Sequence, residues 1–80
     1  MNAKAVNYGE QFEQWIASGK GLYIRWCNGE RLTVRQLSAI SNWNKRQLWA
    51  ELDKDSSDTS ELRRLEDVQK LVDYEIEQRH

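Results

Sequence analysis

The chain has 80 residues, 31% of them charged and 39% hydrophobic, with no proline, four glycines and a formal net charge of −1. That composition describes one small domain and excludes a collagen-like, proline-rich or low-complexity chain. No apolar run exceeds two or three residues, so neither a membrane span nor the apolar stretch of a signal peptide is expected. The single cysteine, Cys27, has no partner for an internal disulfide, and the single histidine is His80. A disulfide scaffold and a Cys/His metal site are not expected, and the expected compartment is a reducing cytoplasm. A chain this short buries only about 60% of its unfolded surface, so its core depends on dense side chains. Four tryptophans supply some of that density.

Charge is unevenly spread. Between Gly19 and Ala50 stand six basic residues (Lys20, Arg25, Arg31, Arg35, Lys45, Arg46) and one acid (Glu30), a net of +5. From Glu51 to His80 there are ten acids and five bases, a net of −5. A basic centre rich in aromatics reads as an anion-facing surface, and an acidic tail reads as a solvated helix.

The pattern predicts a single α+β domain over residues 1–80, in the order N-terminal helix, β-hairpin, two-helix segment, C-terminal amphipathic helix. Residues 1–6 read as disordered. The first helix is expected to start after Asn7, with Glu10 completing a capping box and Tyr8, Phe12, Trp15 and Ile16 on one face. Ser18-Gly19 is expected to end it, glycine taking the left-handed turn.

Leu22 to Val34 reads as a hairpin around Asn28-Gly29. A two-residue turn would mix polar and apolar side chains on each face. A three-residue loop, Cys27-Asn28-Gly29, instead pairs Ile24 with Leu32 and Leu22 with Val34, so this register is preferred. It makes Arg25 and Arg31 cross-strand neighbours on the outer face, an arrangement that favours a nearby anion.

Thr33 to Gln36 forms a second capping box, opening a helical stretch to about Leu52 with a break at Ser41-Asn42. Residues 53–60 read as a polar linker. A third box, Asp58 to Glu61, opens the last helix, whose apolar positions include Leu62, Leu65, Val72 and Ile76. The expected core is Phe12, Trp15, Ile16, Leu22, Ile24, Trp26, Leu32, Leu37, Ile40, Leu48, Leu52, Leu65 and Val72.

Nothing in the chain pairs a nucleophile with a base, and there is no Gly-rich phosphate loop, so no catalytic, cofactor or metal residue is expected. The segment Arg35 to Leu52, RQLSAISNWNKRQLWAEL, resembles the helix-turn-helix of resolvase-like and repressor-like DNA-binding proteins. Leu37-Ser38 and Ile40 match its first helix, Asn42 stands at the turn and Trp43 at the plug after it. Asn44 would cap the second helix and Leu48 and Leu52 would line its inner face. The segment departs from the pattern at Ser41, usually apolar, at Glu51, polar late in the second helix, and at Trp43, larger than the usual plug. The resemblance implies a small DNA-binding regulator in which Asn44, Lys45, Arg46 and Gln47 enter the major groove, with Trp49 outward beside them as a further contact for protein or nucleic acid. Arg25 and Arg31 would hold flanking phosphates. A second reading is a small phage-type accessory protein that docks on a larger host protein, such as a nucleic-acid enzyme, and inhibits or redirects it, with Trp49 as an anchor. Under either reading the last helix is a candidate for homodimer pairing through Leu62, Leu65, Val72 and Ile76.

Overall fold

A computed structural model describes residues 8–79, and its regular elements are four helices: α1 (Tyr8–Ala17), α2 (Gly19–Cys27), α3 (Val34–Leu52) and α4 (Thr59–Gln78). Asn7, expected to cap α1, and residues 1–6, expected to be disordered, lie outside the described residues. No strand occurs among those described, so the α+β expectation is corrected to an all-helical fold.

The hairpin is the element that fails, and Asn28-Gly29 explains why. Gly29 has φ 87°, the left-handed conformation expected of it, but it uses that freedom to stop a helix. Its N–H donates to the Trp26 carbonyl at 3.0 Å, and the N–H of Glu30 donates to the Arg25 carbonyl at 3.1 Å. These two bonds are the Schellman pair that closes a helix C-terminus. The side chains of the same two outer positions, Arg25 and Glu30, meet in a bidentate ion pair at 2.6 and 2.9 Å. On α2, Leu22, Tyr23 and Trp26 turn inward at helical spacing and pack on Leu32, Leu37, Ile40 and Val72. Ile24, which strand alternation placed inside, is 53% exposed.

The junction of α1 and α2 is not a left-handed turn. Ser18 is right-handed helical, its hydroxyl donates to the Trp15 carbonyl at 2.5 Å, and Gly19 begins α2 without a positive φ. Gly19 is needed for space. A Cβ there would lie 2.4 Å from the Trp43 Cβ and 2.9 Å from the Ala39 carbonyl oxygen. The bare backbone lets α2 begin in contact with α3.

The capping box at α3 forms in full. Thr33 Oγ1 accepts from the Gln36 N–H at 3.1 Å and Gln36 Oε1 accepts from the Thr33 N–H at 2.8 Å. The expected break at Ser41-Asn42 is absent: α3 runs unbroken for 19 residues, and Asn42 has no positive φ. The physical reason is a stripe that continues through the supposed turn. Leu37, Ile40, Ser41, Asn44 and Glu51 are all buried, with Leu48 half-buried between the last two. Their spacing is that of one helix face. Three of the six are polar, which hides the stripe from a reading based on hydrophobicity.

Those polar residues bond across to α4, which runs antiparallel to α3. Asn44 Nδ2 donates to the Leu65 carbonyl at 2.8 Å and to Gln69 Oε1 at 3.1 Å. Gln69 Nε2 donates to Ser41 Oγ at 2.7 Å and to Asp73 Oδ2 at 3.0 Å, while Ser41 Oγ donates to Asp73 Oδ1 at 2.7 Å. Apolar packing flanks this network, since Leu65 and Val72 of α4 are buried with Leu62 and Ile76 half-buried. Leu65 and Val72 of the stripe expected to pair two chains are thus buried in the chain's own fold, while Leu62 and Ile76 keep part of their surface accessible.

The 53–60 connection is tied down by Glu51. Its carboxylate accepts from Lys54 Nζ and from the Asp58 N–H, each at 3.0 Å, and Ser57 Oγ donates to its carbonyl at 3.0 Å. Asp58 caps α4 by accepting from the N–H groups of Ser60 and Glu61, but Glu61 does not reach back. It pairs with Arg64 at 2.5 Å, and Glu51 takes over the Asp58 N–H. At the far end Arg79 bonds to Glu75 at 3.0 Å and to the Leu32 carbonyl, and Trp26 Nε1 donates to Glu75 Oε1 at 3.1 Å.

Candidate partner-binding surface

The seven residues expected to form a binding site are not all brought together: only Lys45, Arg46 and Trp49 line one depression. Arg25 is held by Glu30 at the end of α2, and Arg31 is exposed in the loop beyond it. Neither belongs to a sheet, so they are not cross-strand neighbours. Asn44 is 1% exposed, and both hydrogens of its side-chain amide are used inside the fold. It caps no second helix and faces no solvent. Gln47 is exposed beside the α3–α4 connection, at a depression of about 490 Å³ lined also by Lys54, Ser56 and Asp58. The carboxylates there, Glu51, Asp58 and Glu61, are already engaged in capping and ion pairs. Lys45, Arg46 and Trp49 remain together on the opposite side of α3.

These three meet α1. A depression of about 220 Å³ lies between the two helices, bounded by Phe12, Ile16, Asn42, Lys45, Arg46 and Trp49. Trp49 is 62% exposed and Phe12 is 48% exposed, so the aromatic walls face water. Ile16 is buried at the contact between the helices. A second depression of about 290 Å³ lies on the other side of Phe12 and is lined by Gln11, Phe12, Trp15 and Arg35. There the Arg35 guanidinium stacks over the Trp15 ring at 5.3 Å from its centroid, and Phe12 and Trp15 rings lie 5.6 Å apart. Arg35, Asn42, Lys45, Arg46 and Trp49 fall at the spacing of a single helix face, and α1 lays Phe12 and Trp15 alongside them. The result is one strip of alternating aromatics and cations along the α1–α3 groove.

Electrostatically the strip is positive with one internal acid. Arg46 Nη1 and Nη2 donate to Glu13 Oε2 and Oε1 at 2.5 and 2.8 Å. That hydrogen-bonded pairing holds the Glu13 carboxyl below its usual range and raises the Arg46 guanidinium. Both side chains are largely in solvent, so the pair orients the Arg46 fork more than it stabilises the fold. Subtracting Glu13 from Arg35, Lys45 and Arg46 leaves a local charge of +2.

The sequence pattern does not place Phe12, Trp15 and Arg35 in this strip. The spacing of Phe12 and Trp15 is that of an inward face, yet Phe12 is exposed and Trp15 only half-buried. The signal that could have found the strip is the coincidence of Arg35, Asn42 and Trp49 at seven-residue intervals on an unbroken helix. Among the described residues no group of three or more His, Cys, Asp or Glu side chains is placed to hold a metal ion, and no helix is long and apolar enough to cross a membrane. Comparison with family models, curated proteins and solved structures finds no match to this chain.

Proposed function

We propose that the chain is a non-enzymatic docking module: a small accessory protein of the reducing cytoplasm that binds a larger protein through the α1–α3 strip and inhibits or redirects it. The observation that carries this reading is Trp49, 62% exposed on the wall of a depression it shares with Phe12. Fully burying a large apolar side chain is worth about 1.5–3 kcal/mol, and this fold leaves roughly half of that gain unrealised at two neighbouring aromatics. Both sit on helices, so their positions are set before a partner arrives and little ordering entropy is lost on binding. Aromatic anchors beside an arginine are the residues on which interface energy concentrates.

The reading as a duplex-DNA regulator has less support. It drew on a two-helix motif, a hairpin wing and a solvent-facing Asn44. In the fold α3 is one helix, the wing is helix α2, and Asn44 is inside.

The test is to recover a protein on the immobilised chain, purify it and titrate it against variants. Trp49→Ala is expected to weaken that complex by about 30-fold or more, equivalent to about 2 kcal/mol, with the charge changes acting mainly on association rate. Unchanged affinity of Trp49→Ala would overturn the reading. So would duplex-DNA binding by the purified chain that is steep in salt and flattened by Lys45→Ala.

A further inference from the structure

Resting on the reading of the strip as a docking face, we infer that its occupant is an acidic amphipathic helix of the partner protein, seated along the α1–α3 groove with one apolar side chain between Phe12 and Trp49. Three observations lead there. The first is charge. Among the described residues that line the strip, the cations are Arg35, Lys45 and Arg46, and the acid that meets them is Glu13, already held by Arg46. A partner without carboxylates would cover Arg35 and Lys45 and leave desolvated cations unpaired, which is costly. A basic partner would add repulsion. Carboxylates at the rim satisfy those cations and steer the encounter.

The second observation is backbone chemistry. The described chain is all helical and offers no strand edge, so it cannot complete the hydrogen bonds of an extended peptide. A helix pressed into an aromatic groove satisfies its own N–H and C=O groups and needs no backbone partner from this chain. The third is size. The depression between Phe12 and Trp49 holds about 220 Å³, room for one large apolar side chain and not for a small-molecule ligand, whose sites run to about 300–1,000 Å³. Phe12 also borders the second depression beneath Arg35, so a further anchor on the same face of the partner helix would meet Trp15.

The experiment is a selection from a display library of helical peptides about 18 residues long, randomised on one face. The full chain is the immobilised bait and Trp49→Ala the counter-selection. The expected outcome is a set of Trp49-dependent peptides that carry net negative charge around one or two large apolar residues. Their affinity should fall at least about tenfold with Lys45→Glu or Arg35→Glu and weaken with added salt. Trp49-dependent peptides that are neutral or basic would overturn the acidic-helix inference and leave the docking face standing. Recovery of no Trp49-dependent peptide would overturn the docking face, and the inference with it. Two controls carry the competing occupants. Trp49-dependent self-association of the chain in sedimentation would assign the groove to a second copy. Trp49-dependent binding of an oligo-dT strand would assign it to single-stranded nucleic acid. Either would overturn the inference.

Discussion

Gly19 and Gly21 stand two residues apart on α2 with opposite demands on the fold. At Gly21 a Cβ would meet nothing within 4 Å, whereas at Gly19 it would meet the Trp43 Cβ at 2.4 Å and the Ala39 carbonyl at 2.9 Å. Replacing a helical glycine by alanine gains about 0.5–1 kcal/mol where there is room. Overpacking against fixed atoms costs about 1–3 kcal/mol, and neither a backbone carbonyl nor a Cβ can swing away. The clash therefore wins at Gly19 and the entropy gain wins at Gly21. Urea denaturation is expected to show Gly19→Ala less stable and Gly21→Ala more stable than the wild type. Equal effects at both positions would mean that α2 does not begin against α3 as described. Asn44 makes the same point about chemistry. An asparagine followed directly by Lys45 and Arg46 resembles a DNA-contacting residue, yet its amide is enclosed by Leu65 and Gln69.

At the scale of elements, what was legible in the sequence depended on how much chain each signal spanned. Thr33 and Gln36 form their capping box as expected, and α4 starts at its expected cap, because the N–H groups from which Thr33 and Asp58 accept lie within three residues of each cap. The segment from Leu22 to Cys27 failed because six residues contain both an alternating set and an i, i+4 pair. Asn28-Gly29 did not arbitrate, since glycine at φ 87° serves a hairpin loop and a Schellman stop equally well. The unbroken course of α3 was hidden because Ser41, Asn44 and Glu51 look outward by hydropathy and are buried by hydrogen bonding. Gln69 and Asp73, the partners of Asn44 and Ser41, lie far along the chain, and the Asp58 N–H that Glu51 accepts lies beyond the end of α3, so no pattern within the helix shows them.

The α3–α4 connection carries a pH prediction. Two contacts hold the Glu51 carboxyl below its ordinary value of 4.5, first the Asp58 N–H it accepts and then the Lys54 ammonium. A carboxyl lowered in the folded state contributes stability above its unfolded value and loses it as pH falls through the folded one. Below about pH 5 the wild type is expected to lose stability more steeply than Glu51→Gln, which has no charge to neutralise. Urea midpoints measured from neutral pH downward test this, and parallel curves for the two proteins would show that Glu51 does not hold the connection.

On the scale of the whole molecule, the four helices divide their polar residues between two tasks. The α3–α4 contact joins a buried asparagine and serine to a half-buried glutamine and aspartate that bond to one another and fix how the two helices meet, while the α1–α3 side leaves aromatics and cations facing water. The basic middle of the sequence and its acidic end belong to different surfaces of one fold, and α3 lies between them. Arg25 and Arg31 sit apart from the strip at the end of α2, where Arg25 and Glu30 close that helix. The fold thus spends Asn44 on its own architecture and keeps Trp49 outside, which puts a stabilising network on one face of α3 and the proposed docking strip on the other.

Thermal unfolding of Trp49→Ala beside Asn44→Ala tests that division most directly. Asn44→Ala leaves the Leu65 carbonyl and the Gln69 side chain short of a buried donor, at a cost of about 1–3 kcal/mol. At about 4–8 °C per kcal/mol for a domain of this size, its midpoint is expected to fall by at least about 4 °C. Trp49→Ala removes a side chain that is mostly in water, so its midpoint is expected to stay within about 2 °C of the wild type, a shift matching a surface change of under 0.5 kcal/mol. The reverse pattern, a large drop for Trp49→Ala and none for Asn44→Ala, would place the tryptophan in the core and contradict the account.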